Sequence, residues 1–257
     1  MLHTTQTGPE GAPELLFLHA VGISSWMWRD VAAALPAYRL LLIDLPGHGQ
    51  SRDLPWRSLE ESADKVAEAV AATGRSAPLH LAALSLGSYV GLHLCLRHPA
   101  LCQSALLSGI HPGGMPKRAL MKLVSALTAP LAPRPFFARR TARMMGPDVD
   151  VDGFVEAAAQ TRVSAFRRAT NDVVDFECPA DAAPPQTRLA FIAGGREHPL
   201  IREGLATFER RFEGSVSAIV PGLGHGWAGE DPQLFARFIK AHVAGDLPAL
   251  VQRGHPD

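Results

Sequence analysis

The chain has 257 residues, of which 47% are hydrophobic, and its 25 acidic and 25 basic residues give a formal net charge of zero. This length is enough for a full-sized core in one domain, or in one domain with a large insertion. Zero net charge removes any global electrostatic attraction to nucleic acid or to an anionic membrane. We therefore expect a neutral small molecule as the partner and no nucleic-acid ligand.

Targeting, membrane and metal signals are absent from the sequence. No run approaches the roughly 18 apolar residues that a membrane span needs, and the first 28 residues contain no Lys or Arg, unlike a secretory signal. Cys95, Cys102 and Cys178 form no C-x-x-C pair, so neither a disulfide framework nor a zinc site is indicated. We expect a soluble, unprocessed, cytoplasmic chain without metal or cofactor, whose oligomeric state is unknown.

Six short apolar runs recur along the chain, separated by helical stretches. Their hydrophobicity is continuous rather than alternating, as expected for strands buried on both faces of a sheet. Repeated alternation of such strands with helices predicts an α/β fold with a doubly wound, mostly parallel sheet. The six runs begin at Leu15, Leu40, Leu79, Ser104, Arg188 and Val216.

Two other segments complete this outline. The stretch from Ser58 to Thr73 begins with a capping Ser, has Glu61 three residues later and is followed by Gly74, which is typical of a capped helix. Residues 2–7 supply at most one strand ahead of the run at Leu15.

The alternation is interrupted between His111 and about Pro185, where Pro-punctuated helical pieces replace strands. We interpret residues 112–185 as a helical cap or lid inserted into a core formed by residues 1–111 and 186–257. Such an insertion is expected over the carboxyl ends of the strands, where open parallel sheets bind ligands.

A candidate nucleophile follows the third strong strand. Residues 83–87 read A-L-S-L-G, so that Ser85 stands in a strand-turn-helix with small residues two positions before and after it. This is the arrangement of a nucleophile elbow, in which the turn holds the Ser in a strained backbone conformation. The usual form is G-x-S-x-G, and A-x-S-x-G also occurs by chance.

Three further phrases occur in order around this turn: L-F-L-H-A-V-G from Leu16, D-L-P-G-H-G-Q-S from Asp44 and P-G-L-G-H-G-W from Pro221. Together with the elbow, they resemble the alpha/beta-hydrolase fold family, in its small cap-bearing serine hydrolase branch. The resemblance covers nearly the whole chain. It implies a cap inserted after the sixth family strand, and it implies that one of the two strands usual before Leu15 is missing.

The resemblance also implies roles for individual residues. Ser85 matches the nucleophile, and His225 matches the general base that removes the hydroxyl proton, although a cap for the last helix is an alternative role for His225. The backbone N–H groups of Val21 and Leu86 match the oxyanion hole. Ala20 replaces a usual Gly in the loop that carries Val21.

The acid of the triad is the uncertain member. Aligning Gly195 with the usual Gly of the acid turn places His198 at the acid position. An imidazole cannot stabilise the imidazolium that forms on the base, whereas a carboxylate can. We therefore predict Glu197 as the third member of the triad, with His198 supporting it or facing the substrate.

Three functions remain open at this point. The first is a serine hydrolase that cleaves a carboxylic ester, lactone or thioester of a small molecule through an acyl-enzyme. The second is a non-catalytic ligand-binding or sensor protein, suggested by Ala20, Ala83 and the altered acid turn. The third is a lyase or acyl transferase that uses the same Ser and His.

Other conspicuous residues are better explained structurally. We expect His19 to fix its loop by donating a hydrogen bond, and Asp44 and His48 to shape the turn after a strand. Three tryptophans could line a pocket or pack in the core: Trp26, Trp28 and Trp227.

The insertion carries a basic strip without acidic residues between positions 112 and 147. It could attract an anionic group on a substrate, or be a solvated face neutralised by Asp148, Asp150, Asp152 and Glu156. The apolar residues Met115, Met121, Phe136, Phe137, Met144 and Met145 suit either an adaptable pocket or the attachment of the cap to the sheet. The basic strip consists of Lys117, Arg118, Lys122, Arg134, Arg139, Arg140 and Arg143.

Overall fold

The structure is a computed structural model of the chain that describes residues 1–74, 78–145, 149–179 and 186–247, apart from the side chains of residues 144 and 145. Within these residues, seven strands form one sheet in the order β1-β3-β2-β4-β5-β6-β7. β1 is antiparallel to β3, and all other neighbours are parallel. The strands are β1 Thr4–Thr7, β2 Glu14–Leu18, β3 Arg39–Ile43, β4 Leu79–Leu84, β5 Cys102–Ser108, β6 Arg188–Gly194 and β7 Val216–Val220.

The predicted sheet is therefore confirmed. Each of the six apolar runs lies in one of the strands β2 to β7, and residues 2–7 contribute the single strand β1. None of the helices in the described part of the chain is long and apolar enough to cross a membrane.

Ten α-helices and three short 3-10 helices accompany the sheet in the described residues. The predicted capped helix is α2, whose Ser58 Oγ accepts a hydrogen bond from the N–H of Glu61 at 3.1 Å. The α-helices are α1 Arg29–Ala33, α2 Leu59–Ala72, α3 Leu86–Arg97, α4 Arg118–Thr128, α5 Pro135–Met145, α6 Val151–Ala159, α7 Val163–Asp175, α8 Pro199–Arg211, α9 Trp227–Glu230 and α10 Pro232–Ala244. The 3-10 helices are Ser25–Trp28, Gly49–Ser51 and Ala129–Leu131.

Helices cover both faces of the sheet, which explains the continuous hydrophobicity of the strands. On β2, Leu16 and Leu18 pack in the core layer shared with α2, α3 and α8, whereas Leu15 and Phe17 pack in the layer shared with α1 and α10. Because successive side chains of a strand point to opposite faces, every position of such a strand must be apolar.

The helical insertion, which we define as α4 to α7, lies between β5 and β6 in the chain. It packs on the loops that follow the carboxyl ends of two strands. The N–H of Arg162 donates to the carbonyl of Gly47 at 2.8 Å, and the ring of Phe166 lies so close to Gly22 that a β carbon there would be 2.8 Å from it. The predicted segment 112–185 ends in residues 180–185, which lie outside the described part.

The two ends of the insertion are joined at its base. The N–H of Cys178 donates to the carbonyl of Pro112 at 2.7 Å. His111 bridges the same region, because its Nδ1 accepts from the N–H of Gly113 and its Nε2 lies 3.1 Å from the carbonyl of Val173. Burial lowers the pKa of His111, which favours the neutral ring that these two bonds require.

Gly87 sets the distance between α3 and the sheet. A β carbon at this position would lie 2.2 Å from the carbonyl oxygen of Leu18 and 2.9 Å from that of His19. Backbone atoms cannot move away as a flexible side chain can, so only a Gly lets the start of α3 approach β2 this closely.

We predict that Gly87→Ala destabilises the fold by about 1–3 kcal/mol, since the added methyl group forces α3 away from β2. Urea denaturation measures the loss. Gly229→Ala is a matched control, because a β carbon at Gly229 meets no atom within 4 Å. Equal stability of the two variants would contradict this explanation.

Candidate active site

Ser85 lies in the sharp turn between β4 and α3. Its backbone has φ 54° and ψ −122°, a conformation with positive φ that a residue with a β carbon adopts only under constraint. The N–H of Ser85 donates to the carbonyl of Ser108 at 2.8 Å, which ties the turn to the end of β5. The strained turn predicted from the A-L-S-L-G motif is therefore present.

Ala83 fits where the usual motif has Gly. Its side chain is completely buried, and it faces Gly91 on α3, where even an added β carbon would remain 3.8 Å away. The methyl group of Ala83 is thus accommodated in the turn at ordinary contact distance from α3.

The two backbone N–H groups predicted for the oxyanion hole follow the carboxyl ends of two neighbouring strands, β2 and β4. Leu18 of β2 is in register with Ala83 of β4, so the loop that carries Val21 lies beside the turn that carries Leu86. Among the hydrogen bonds of the described residues, none is donated by the N–H of Val21 or of Leu86. Neither donor is therefore committed to an acceptor within the described residues.

His225 stands in the loop after β7, beside the same strand ends. Its ring packs on the backbone of Gly109, where a β carbon would lie 2.7 Å from Cε1. Gly109 follows directly on Ser108, the acceptor of the Ser85 N–H. Ser85 and His225 thus both contact one short segment, Ser108–Gly109.

Glu197 is the acid that faces His225. Its Oε2 lies 3.2 Å from His225 Nδ1, and its Oε1 accepts a hydrogen bond from the N–H of Gly194 at 3.1 Å. The Glu197 side chain is fully excluded from solvent, whereas that of His225 is half exposed. A carboxylate removed from water needs such partners on both oxygens.

His198 lies on the outside of the same turn. It is exposed, and its Nδ1 accepts a hydrogen bond from the N–H of Leu200 at 3.2 Å, so it caps the start of α8. Simple alignment of the turn places His198 at the acid position. The three-dimensional turn instead directs the preceding residue, Glu197, towards His225.

Backbone hydrogen bonds connect the loop of Glu197 with the loop of His225. The N–H of Gly195 donates to the carbonyl of Val220, and that of Arg196 to the carbonyl of Leu223, both at 2.8 Å. The carboxylate of Glu230 accepts from the N–H of Gly224 at 2.8 Å and pairs with Arg196. Sequence reasoning missed Glu230, which gives no motif signal because its partners come from another loop.

Ser108 connects the turn of Ser85 with β6 and α9, and sequence reasoning also missed it. Its carbonyl accepts from the N–H of Ser85 and from the hydroxyl of Ser88. Its own hydroxyl donates to the carbonyl of Ile192 on β6 at 3.2 Å and accepts from Trp227 Nε1 at 2.7 Å. Its only sequence signal is a polar residue at the end of an otherwise apolar run.

Two predicted structural residues hold the loops after β2 and β3. His19 Nδ1 lies 2.8 Å from the carbonyl of Ala20, and His19 Nε2 accepts from the N–H of Leu45 at 2.8 Å. Burial lowers the pKa of His19, which favours the neutral ring that both bonds need. The carboxylate of Asp44 accepts from the N–H groups of Ser25 and Gln50, each at 2.8 Å.

The tryptophans divide between core and surface. Trp28 and Trp227 are fully buried and pack on opposite sides of Phe235, so the pocket-lining alternative is wrong for these two. Trp26 is partly buried against α6, where a β carbon on Gly153 would lie 2.4 Å from its ring.

The basic strip is neutralised differently from the sequence-based expectation. Of the acidic residues named for it, Asp152 pairs with Arg139 at 2.7 Å, Asp150 pairs instead with Arg29, and Asp148 lies outside the described residues. Two other strip residues find partners at the end of the insertion, since Arg118 pairs with Glu177 and Lys122 with Asp175.

The apolar residues of the insertion differ widely in exposure. The Phe136 side chain is 82% exposed and that of Met121 is 38% exposed. Met115 and Phe137 are partly buried, and the side chains of Met144 and Met145 lie outside the described part. A pocket lining is therefore wrong for Phe136, which faces solvent.

Sequence comparison agrees with this architecture. A family model described as alpha/beta hydrolase family matches residues 15–238, which is most of the chain. The chain therefore belongs to the alpha/beta hydrolase family.

Two curated relatives match less than half of the chain. It is 34% identical over 109 residues to the 2-succinyl-6-hydroxy-2,4-cyclohexadiene-1-carboxylate synthase of Enterobacter sp. (strain 638), a match that covers 42% of each protein. It is 33% identical over 112 residues to the pimeloyl-[acyl-carrier protein] methyl ester esterase of Nitrosomonas europaea, covering 43% of this chain and 42% of the relative. The matched region thus spans less than half the length of either relative.

Solved structures share the fold over nearly the whole chain. A thermophilic esterase from Thermogutta terrifontis superposes with a TM-score of 0.78 at 19% identity, covering 95% of this chain and 93% of the other. A hydrolase from Pseudomonas aeruginosa PA01 gives 0.79 at 20% identity, covering 94% of both chains. At this level of identity, the likeness establishes the fold.

We predict that Ser108→Ala destabilises the protein by about 1–3 kcal/mol, because the buried N–H of Trp227 then has no acceptor. In a Trp227→Phe background, the same change should lower the free energy of unfolding by less, since the indole donor is already gone. Urea denaturation of the two single variants and the double variant measures the coupling.

Ser88→Ala is the matched control for this cycle. The Ser88 hydroxyl also bonds to Ser108, but to its carbonyl. The loss of unfolding free energy in Ser88→Ala should therefore be the same with Trp or Phe at position 227. If Ser108→Ala costs equally in both backgrounds, the Trp227 hydrogen bond does not couple the loops.

Proposed function

We propose that the protein is a serine hydrolase that cleaves a carboxylic ester, lactone or thioester of a small molecule through an acyl-enzyme. The observation that carries this proposal is the buried carboxylate of Glu197 placed 3.2 Å from the Nδ1 of a half-exposed His225. Ser85 lies in a strained turn tied to the segment on which the His225 ring rests.

The residues suggest the following steps. Ser85 Oγ attacks the carbonyl carbon of the substrate while its proton passes to Nε2 of His225, the ring nitrogen that does not face Glu197. The intermediate collapses, the bond to the leaving group breaks, and the imidazolium returns the proton to the leaving alcohol or thiol. A water molecule, activated by the neutral His225, then attacks the acyl carbon, and Ser85 leaves with that proton.

Glu197 serves this cycle by its charge. It holds the imidazole in the tautomer whose Nε2 is free, and it stabilises the imidazolium formed in each half-reaction. The N–H groups of Val21 and Leu86 would receive the oxyanion, and one such donor is worth about 3 kcal/mol in a well-studied protease.

We also propose that residues 112–185 form a cap over this site and that residues 1–111 and 186–257 form the catalytic core. The contacts of the insertion with Gly22 and Gly47 support this arrangement, because both glycines lie in loops at the carboxyl ends of β2 and β3. The cap would then exclude water from the site and bound the substrate pocket.

The names of the relatives support the substrate class. One relative is named a methyl ester esterase, and one solved structure is that of an esterase. We extend only the ester class to this chain, since the matched regions cover less than half of the named relatives.

A second candidate is lyase or acyl-transfer chemistry at the same Ser85 and His225. It is favoured by the synthase relative, which is 34% identical over the matched region. Product analysis separates the alternatives: hydrolysis yields an acid and an alcohol or thiol, whereas a lyase forms a double bond and a transferase moves the acyl group to a second substrate.

A panel of p-nitrophenyl esters of different acyl lengths, together with lactones and thioesters, tests the hydrolase. Wild type should turn over at least one class, and Ser85→Ala should reduce kcat by several orders of magnitude because no acyl-enzyme can form. A fluorophosphonate probe should label wild type and not the variant. Undiminished turnover by Ser85→Ala would rule out the mechanism, and an unlabelled wild type would favour a sensor.

A matched pair of variants tests the acid. Glu197→Gln keeps the shape of the side chain but removes its charge, so kcat should fall by about 10² to 10⁴. His198→Ala should remain near the wild-type rate, because His198 caps α8 and faces solvent. Steady-state kinetics on the same ester measures both, and the reverse ranking would overturn the assignment of Glu197.

A further inference from the structure

An apolar surface on the helical insertion plays no part in the proposed chemistry. Of the ten large apolar side chains that are exposed among the described residues, seven lie between positions 120 and 136. Four of them recur on α4 at the spacing of one helix face. They are Leu120, Leu123, Val124 and Leu127, which are 53%, 56%, 49% and 69% exposed.

The exposed side of α4 is opposite to its attached side, and exposed apolar residues continue along the chain beyond this helix. Leu131 and Phe136 follow it and are 47% and 82% exposed. On the other side of α4, Ser125 and Ala129 are buried. We call these six exposed residues the outer apolar face: Leu120, Leu123, Val124, Leu127, Leu131 and Phe136.

The basic strip divides between the two sides of the insertion. Arg118 and Lys122, which share the inner side of α4, pair with Glu177 and Asp175. Lys117, Arg134 and Arg140 lie within four residues of a member of the outer apolar face, are exposed, and have no ion pair with any residue that the structure describes. Since the sequence has no acidic residue between positions 112 and 147, this face is locally cationic although the whole chain is neutral.

We propose that the outer apolar face binds an anionic lipid surface. A helix that presents apolar side chains with flanking cations is the kind of element that lies in a bilayer interface, its apolar side among the acyl chains and its cations at the headgroups. Four of the six side chains of this face project outward from α4, an arrangement that suits a deformable lipid surface.

Self-association through the same face is disfavoured by charge. A twofold contact buries the same patch of both chains in one interface, which would then hold Lys117, Arg134 and Arg140 twice and no acidic residue from positions 112 to 147. An anionic lipid surface supplies the opposite charge to all three. Lipid binding by this face does not require catalysis, so it is tested independently of the proposed hydrolase activity.

Co-sedimentation with sucrose-loaded vesicles tests the proposal. The full chain should bind vesicles of phosphatidylcholine mixed with phosphatidylglycerol, bind phosphatidylcholine alone much more weakly, and dissociate from the mixed vesicles as salt is raised. Ser85→Ala should bind like wild type, because Ser85 lies outside the face.

Two sets of variants separate the apolar and the charged contributions. Leu123→Asp with Leu127→Asp should abolish binding while leaving the thermal unfolding midpoint nearly unchanged, since both side chains are already exposed. Lys117→Glu, Arg134→Glu and Arg140→Glu together should lower the partition coefficient at least about a hundredfold, at about fivefold per cation lost. Arg210→Glu, Arg237→Glu and Lys240→Glu make the same change in net charge on exposed positions of α8 and α10 and should have little effect.

The proposal is overturned if wild type binds neither kind of vesicle, if the double Asp variant binds like wild type, or if the two triple variants lose binding equally. It is also overturned if the face captures an acidic protein and no vesicle, because the partner would then belong to another class.

Discussion

The hydrogen bond from the N–H of Ser85 to the carbonyl of Ser108 holds the conformation on which the rest of the site depends. A residue with a β carbon at φ 54° carries a conformational cost of about 1–3 kcal/mol, so the turn persists only because its surroundings fix it. β5 supplies the acceptor, and Gly87 lets α3 begin within contact of the Leu18 carbonyl. The strain at Ser85 and the short distance between α3 and β2 therefore have the same structural cause.

The end of β5 also supports the loop that carries His225. Gly109, next to Ser108, has φ 68° and offers a flat backbone surface to the ring of His225. The Ser108 hydroxyl reaches Trp227, two residues beyond His225, and the carbonyl of Ile192 on β6. Three segments from distant parts of the chain, which are the turn at Ser85, β6 and α9, thus bind one buried serine. Because parallel strands bring their carboxyl ends to one edge of the sheet, such sharing follows from the fold itself.

Charge is distributed in the molecule at two scales. Globally the acidic and basic residues cancel, and at the site a single carboxylate, Glu197, is buried beside an imidazole. On the helical insertion the charges are segregated, with ion pairs on the inner side of α4 and unpaired cations around the outer apolar face. Net charge therefore describes solubility and long-range attraction, whereas recognition depends on this local arrangement.

The sequence by itself determined the sheet, the position of the insertion and the elbow at Ser85, because continuous apolar runs and the A-L-S-L-G turn are local patterns with local physical causes. It also favoured Glu197 over His198 as the acid of the triad, since a carboxylate stabilises an imidazolium and an imidazole does not. Only the tertiary structure decided that Glu197 faces His225 while His198 caps α8. It alone assigned Ser108 and Glu230 to the support of the catalytic loops, placed Trp28 and Trp227 in the core, and turned Phe136 to solvent. Each of these depends on contacts between residues far apart in the chain, and neither spacing nor periodicity in the sequence encodes such contacts.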